Sequence, residues 1–402
     1  MDQEPAPRAL WVLSEIELPP HGGSAVYTRG LMDALVRQGV SVSAFGISRS
    51  TAPHGSAIDW RLVAAQRRRG VLLPAFSRLP LMSARLPVRM MRPQLVELLG
   101  ERWNVVIISH IMSVWALKPV LRAKAEGLIG DVWYAAQNDE ARVWKESLEL
   151  GTSSWVERLA RAWDLPKVQR AQQRLLSGVS IVTTITESDR AALSQGSKRT
   201  VVASPGVSTP PGRWLRPAAA RPRAVVIAGS LTWRLKLKNL EEFLRSASTS
   251  LQNSEIGVVI AGKMQQADML QLRAQYPWAD VRGELDDLRS IYDLGRLAVV
   301  PEALGGGFKL KILDYVYSGL AIVSMPCAME GLPLVADKHY AGGSDAGALI
   351  QSVIELIDDC DRIDALAHSA RSACEEAFDW DRTGSLLAGL MGGHATKEEM
   401  SS

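Results

Sequence analysis

Apolar residues along this chain recur with two periods that take turns. Leu10-Trp-Val-Leu-Ser14 is an unbroken apolar run of strand length, and Glu15 to Gly23 follows as a loop. Tyr27, Leu31, Ala34 and Leu35 then fall at helical spacing, and Gly39 ends that helix before Val40-Ser-Val-Ser-Ala-Phe45 alternates as a second strand. The β-α-β opening repeats more loosely. Val105 to Ser109, Val132 to Ala136 and Ser180 to Ile185 are strands that each end in a polar loop, and the last runs into Thr186-Glu-Ser-Asp189, which has the form of a capping box. A parallel, doubly wound sheet is expected.

Residues 203–223 are too rich in Pro and Gly for regular structure and predict an interdomain connection. After them the alternation restarts. Ala224 to Gly229, Ile256 to Gly262, Val281 to Gly283 and Leu297 to Pro301 predict strands, with helices near 239–250, 265–275 and 287–294. The fold class expected is α/β, two Rossmann-like domains facing a central cleft. Their bounds are 1–203 and 223–379, joined by a linker at 204–222.

Pro301 to Ser324 is the most informative stretch. It predicts a strand end, the glycines Gly305, Gly306 and Gly307, a helix from about Phe308 to Ser318, an αL cap at Gly319 and another apolar strand. Glycines opening a helix let an anion such as a pyrophosphate approach bare N–H groups at the positive end of the helix dipole. By itself such a loop serves equally as a turn.

The succession Gly305-Gly-Gly-Phe-Lys-Leu-Lys-Ile-Leu-Asp314, Ser318-Gly-Leu-Ala-Ile-Val-Ser324 and Met329-Glu-Gly-Leu332 resembles the donor-binding segment of family-4 glycosyltransferases with the two-Rossmann-domain GT-B architecture. Within that family it is similar to the subgroup carrying a glycine triplet and a Lys in this helix. His21-Gly-Gly-Ser24, Gln137-Asn-Asp-Glu140, Thr184 to Asp189, Ser204-Pro-Gly-Val207, Gly229-Ser-Leu-Thr-Trp233 with Lys238-Asn239, and Phe378-Asp-Trp380 match further family segments in order. The resemblance implies retaining, metal-independent transfer of a sugar from a nucleotide-sugar donor to a hydroxyl of a glycan, lipid-linked or secondary-metabolite acceptor. No cofactor is implied beyond the donor itself, and a last helix at 380–395 is expected to pack back on the first domain.

On the same resemblance, Lys238 stands at the phosphate lysine, with Arg234 second and Lys236 in the same loop. Asp314 takes the place of a Glu that accepts from the donor ribose, and Gly22, Gly23, Gly229, Gly283, Gly305, Gly306, Gly307, Phe308 and Lys309 complete the donor-binding set. Gln137 replaces a His; it can hydrogen-bond but carry no proton. His110 and His21 are polar groups at strand ends that serve either the site or the structure. His21, Asn138 and Glu140 are the acceptor-side candidates, although Glu140 could equally cap the following helix. Gly306 occupies the position of a sugar-facing Glu. These departures leave open a catalytically inactive nucleotide-sugar- or glycan-binding subunit. A nucleotide-sugar 2-epimerase is the less favoured alternative, since its Arg-x-x-Thr-Glu-Arg-Pro-Glu type segment is replaced by Ser324-Met-Pro-Cys-Ala-Met-Glu-Gly331.

Composition changes this picture in three places. With 402 residues, 47% of them hydrophobic, the chain can supply two cores. Three cysteines without metal-ligand spacing, no basic-then-apolar start and no apolar run near about 18 residues predict a cytoplasmic protein without a membrane span. Net charge is only +3, yet residues 60–96 hold eight Arg and no Asp or Glu, interrupted by four prolines. That asymmetry favours an anionic partner such as a membrane surface or acidic acceptor, against the alternative of arginines used for packing. Nucleic acid is a poor fit for so small an overall charge.

Overall fold

A computed structural model describes residues 6–20, 22–64, 76–149, 155–194, 199–207, 216–232, 234–285, 287–302 and 307–392. The chain divides into two units, 1–206 with 379–402, and 207–378.

Unit 1 holds a seven-stranded parallel sheet of β1 (Arg8–Ile16), β2 (Ser41–Ser48), β3 (Asp59–Ala64), β4 (Trp103–Ser109), β5 (Ile129–Ala135), β6 (Ile181–Thr184) and β7 (Arg199–Val202), in the order β3-β2-β1-β4-β5-β6-β7. The chain builds outward from β1 to β3, then returns to the other side of β1 with β4. Helices cover both faces, so β1 is buried along nearly its whole length and extends past both ends of the apolar run. The alternation in β2 misleads. That strand is flanked on both sides, and its Ser43 is buried with its hydroxyl donating to Asp59 on β3 at 3.0 Å. β3 runs into the arginine-rich stretch, which continues with helices at Leu81–Ala84 and Val88–Leu98, the latter containing Pro93. A helix over Trp155–Gly178 also escaped the periodicity, because its apolar residues lie on more than one face.

The last helix, Trp380–Met391, packs on Gly23–Arg37 within unit 1. Two glycines make room for its first residue: a Cβ on Gly30 or Gly206 would fall inside Trp380. Tyr27, 6.1 Å from the Trp380 ring, donates its hydroxyl to the Ala203 carbonyl at 2.6 Å, Thr383 donates to the Ser204 carbonyl at 2.7 Å, and Arg37 pairs with Asp381 at 2.6 Å.

Unit 2 holds a six-stranded parallel sheet of β8 (Ala224–Ala228), β9 (Gly257–Ala261), β10 (Ala279–Gly283), β11 (Leu297–Val300), β12 (Ala321–Ser324) and β13 (Ala341–Gly342), in the order β10-β9-β8-β11-β12-β13. Strand alternation splits its core in two. Val225 and Ile227 face one apolar layer with Phe243 and Leu244, while Val226 and Ala228 face another with Ile312 and Val316. The helix after β8 is longer than its apolar pattern, covering Arg234–Asn253. Arg234, Lys236 and Lys238 are therefore helical residues and not members of the preceding loop. The segment expected as a helix near 287–294 is a 3₁₀ helix, Leu288–Leu294.

Gly30→Ala tests the helix seam. In an exposed helix the change would stabilise by about 1 kcal/mol through propensity; here the collision with Trp380 is expected to reverse the sign and cost about 1–3 kcal/mol, read as a lower Tm.

Candidate functional site

In unit 2 the strand order reverses between β8 and β11, so the loops leaving their carboxyl ends part and expose backbone. Gly229, directly after β8, has φ 127, and Gly262 after β9 has φ 150; a Cβ on Gly262 would overlap the Gly229 carbonyl. Gly262 donates its N–H to the Gly283 carbonyl at 2.6 Å, and Gly283 has φ 80. The buried Tyr315 hydroxyl fixes the end of β8, accepting from the Ala228 N–H at 2.8 Å and donating to the Ala228 carbonyl at 3.0 Å.

Against this edge three ammonium groups crowd one carboxylate. Glu302, two residues past β11, is buried at 4% exposure. Its Oε1 lies 2.5 Å from Lys311 Nζ, while Oε2 is buried and has no hydrogen-bond partner among the described residues. Lys311 stands in the first turn of the helix Leu310–Ser318, and its stem passes so close to Gly229 that a Cβ there would meet Cδ at 3.2 Å. Lys309 is the N-cap of that helix, and Lys236 comes from the helix after β8. Burial, reinforced by the charges of Lys311 and Lys309, pushes the Lys236 ammonium down to about 8. Burial likewise lowers Lys309, and the neighbouring Lys311 lowers it further. Burial alone would raise Glu302, but Lys311, Lys236 and Lys309 outweigh it and hold the carboxyl below its usual range. Three ammonium groups gather around one buried carboxylate, with Glu330 also acting on Lys309, and an anion there would favour their charged forms.

The sequence candidates divide around this cluster. Lys236 joins it; Lys238 is exposed on the same helix, because residues two apart point to different sides. Arg234 is exposed and lies 3.4 Å from Asp268. Gly307 has φ 91 and precedes the helix, while Phe308 stacks edge-on to Phe378 at 5.4 Å as part of the core. Asp314 is exposed, and Lys311 in the turn before it pairs with Glu302. Gly319 closes the helix at φ 81. Gly305, Gly306, His21, Trp233 and Arg67 to Arg69 lie outside the described residues. Glu302 and Lys311 were missed as site residues, although a Glu directly after an apolar strand end and a Lys in the first turn of the next helix were visible signals.

Unit 1 has its own site at the same place in its topology, the carboxyl ends of β1 and β4. A cavity of about 310 Å³ is lined by apolar Leu13, Ile16, Leu18, Met32, Trp60 and Met112, by polar Ser14, Thr28, Ser109, His110 and Gln137, and by charged Glu15, Glu17 and Arg29. Gly22 is the N-cap of the helix that starts at Gly23, and it donates its N–H to Glu17 at 3.1 Å. His110 follows β4 with φ 62, a left-handed conformation that costs a β-carbon residue about 1–2 kcal/mol. Its own N–H donates to the Ala135 carbonyl and its carbonyl accepts from Ser113, both at 3.0 Å. The ring is held from both sides: Nδ1 accepts from the Met112 N–H at 3.2 Å, and Nε2 lies 3.1 Å from Glu140 Oε1. With Nδ1 accepting, the proton sits on Nε2 and points at Glu140.

Glu140 begins the helix Glu140–Glu149, yet its carboxylate takes His110 and the Asn138 amide, which donates at 3.2 Å, in place of a capping role. Burial works to raise it, but His110 and Asn138 hold it below the ordinary carboxylate range. Gln137 is buried and donates to Thr28 Oγ1 at 3.0 Å, so it ties β5 to the first helix at the cavity wall. Among the described residues no three His, Cys, Asp or Glu side chains are set to hold a metal.

Family models account for most of the chain. A glycosyl transferase 4-like domain matches residues 22–206, and a model described as glycosyl transferases group 1 matches residues 222–359. No curated protein matches the sequence. Among solved structures, sucrose-phosphate synthase from Thermosynechococcus elongatus superposes with TM-score 0.68 at 14% identity, covering 96% of this chain and 98% of that one. WaaG, a glycosyltransferase involved in lipopolysaccharide biosynthesis, gives 0.67 at 13%, covering 96% and 100%. Anabaena HepE, solved with UDP and glucose, gives 0.66 at 13%, covering 96% and 99%. At such identities the likeness concerns the fold.

Glu302→Gln would leave Lys311 half-buried without its counter-charge, at an expected cost of about 3–5 kcal/mol. Inorganic pyrophosphate is expected to restore part of that loss, so its Tm increment should be larger for the variant than for the parent. Equal increments would place the anion elsewhere.

Proposed function

This chain is a family-4-like glycosyltransferase with the GT-B architecture, and we propose that it moves a sugar from a nucleoside-diphosphate donor, bound by unit 2, to an acceptor hydroxyl bound by unit 1. The observation that carries this reading is the excess of ammonium groups at the ends of β8 and β11. Breaking the bond to a diphosphate leaves negative charge on the departing oxygen, and preorganised cations there stabilise the transition state more than the ground state. Lys236, Lys309 and Lys311 supply that charge, with the first-turn N–H groups of Leu310–Ser318 beside them. Because the side chains furnish it, transfer proceeds without a divalent ion, and turnover is expected to survive exhaustive chelation.

Asp314, exposed on the same helix, is the proposed acceptor for the ribose hydroxyls, and Gly283 with the residues after it holds the base through backbone groups. On the acceptor side, the cavity walls favour a molecule with both apolar and hydroxyl surface. His110 is the polar group at its edge, oriented by Glu140 and Asn138, while Gln137 keeps the wall in place. The family resemblance supports retention of anomeric configuration, which NMR of the product's anomeric proton would read directly.

Titration with UDP, GDP and dTDP at varied pH tests the donor site. A diphosphate should bind Lys236 in its charged form, so affinity is expected to fall as pH rises through about 8, by up to tenfold per pH unit. Lys236→Ala should flatten that profile and weaken the diphosphate while leaving the matching nucleoside unchanged. Equal losses for nucleotide and nucleoside would remove the lysines from the phosphate site. Lys238→Ala serves as the exposed control.

A further inference from the structure

The helix Trp155–Gly178 of unit 1 carries apolar side chains on two sides. Inward, Val168, Ala171 and Leu175 join the core. Outward, Trp155, Leu159 and Trp163 are 73%, 62% and 64% exposed, and their spacing of four places them on one face. A core needs one stripe, so the second calls for another explanation. The charge around it is lopsided: the helix contains Arg158, Arg161, Arg170 and Arg174 against Glu157, while Lys167 pairs with Asp164 at 3.8 Å. Asp164 is turned inward, where both its oxygens accept from the Leu81 N–H at 2.9 Å. That bond also ties the helix to the segment bearing Phe76, which is 84% exposed, and Arg78.

We propose that this face docks unit 1 onto an anionic lipid bilayer, with Trp155, Leu159 and Trp163 entering the headgroup boundary and the arginines meeting lipid phosphates. Indole rings suit that boundary, being apolar in body with one N–H to leave in the wet layer. Arginine stems can lie along apolar surface while the guanidinium reaches outward. A second copy is the poorer occupant, since a two-fold contact would bring like-charged arginines together. Insertion is shallow: among the described residues no helix is long and apolar enough to cross a membrane. The inference is independent of the donor reading, which concerns unit 2.

Sedimentation with vesicles tests it. The parent is expected to bind vesicles of phosphatidylcholine with about a third phosphatidylglycerol, to bind phosphatidylcholine alone weakly, and to be released by salt. Arg170→Ala with Arg174→Ala, both exposed on the side of the stripe, should lower the partition coefficient about thirtyfold at low salt. Trp155→Ser, Leu159→Ser and Trp163→Ser together should abolish binding. Both variants should keep the parent's circular dichroism and diphosphate affinity. Failure of the parent to sediment with anionic vesicles, or unchanged binding by the triple variant, would overturn the proposal. So would light scattering that shows a parent dimer dissociated by the triple variant, because the face would then be a self-association surface.

Discussion

In an all-parallel sheet every strand delivers its carboxyl end to the same edge, and where the strand order reverses, two successive loops must leave that edge in opposite directions. This constraint acts twice here, between β1 and β4 and between β8 and β11. In unit 2 it opens the backbone at Gly229 and brings Glu302 and Lys311 alongside. In unit 1 it opens the cavity that His110 and Gln137 border. Neither site requires its residues to be near in sequence. Each requires the central strand to be buried on both faces, and the two apolar layers flanking β8 achieve this in unit 2.

The two sites differ in how they handle charge. The unit 2 cluster holds like charges around a buried carboxylate, and burial first, then the neighbouring ammonium groups, depress Lys236. The unit 1 site has Glu15, Glu17 and Arg29 on its lining, and the electrostatics around its histidine serve orientation. Glu140 fixes the proton-bearing nitrogen of a histidine whose backbone is itself held in a left-handed conformation. A strained residue locked by three hydrogen bonds and an acid is a rigid edge for a binding pocket. One site is built to take up charge, and the other is built to hold shape.

Legibility followed distance along the chain. Gly319 closes its helix as expected because the αL requirement is local, and the apolar runs of β4 and β8 were plain because burial on both faces leaves no polar position. Ser43 of β2 was misleading, since its partner, Asp59, comes from β3. The resemblance points to Lys238, but the rotation of the helix decides which lysine turns inward, and it is Lys236. The pairing of Lys311 with Glu302, nine residues apart across a strand end and a loop, had no local signature.

By itself the sequence determined the class of fold, two Rossmann-like halves, because strand burial, helix periodicity and glycine punctuation are short-range consequences of backbone geometry and hydrophobicity; the family was legible from the resemblance of its motifs. The tertiary structure decided the chemistry of each site. Which lysines share a carboxylate, that Glu140 meets His110 instead of capping its own helix, and that Trp155, Leu159 and Trp163 face outward all depend on where distant elements pack. Local periodicity can say that a residue lies on a face; only the packed neighbours say what that face meets.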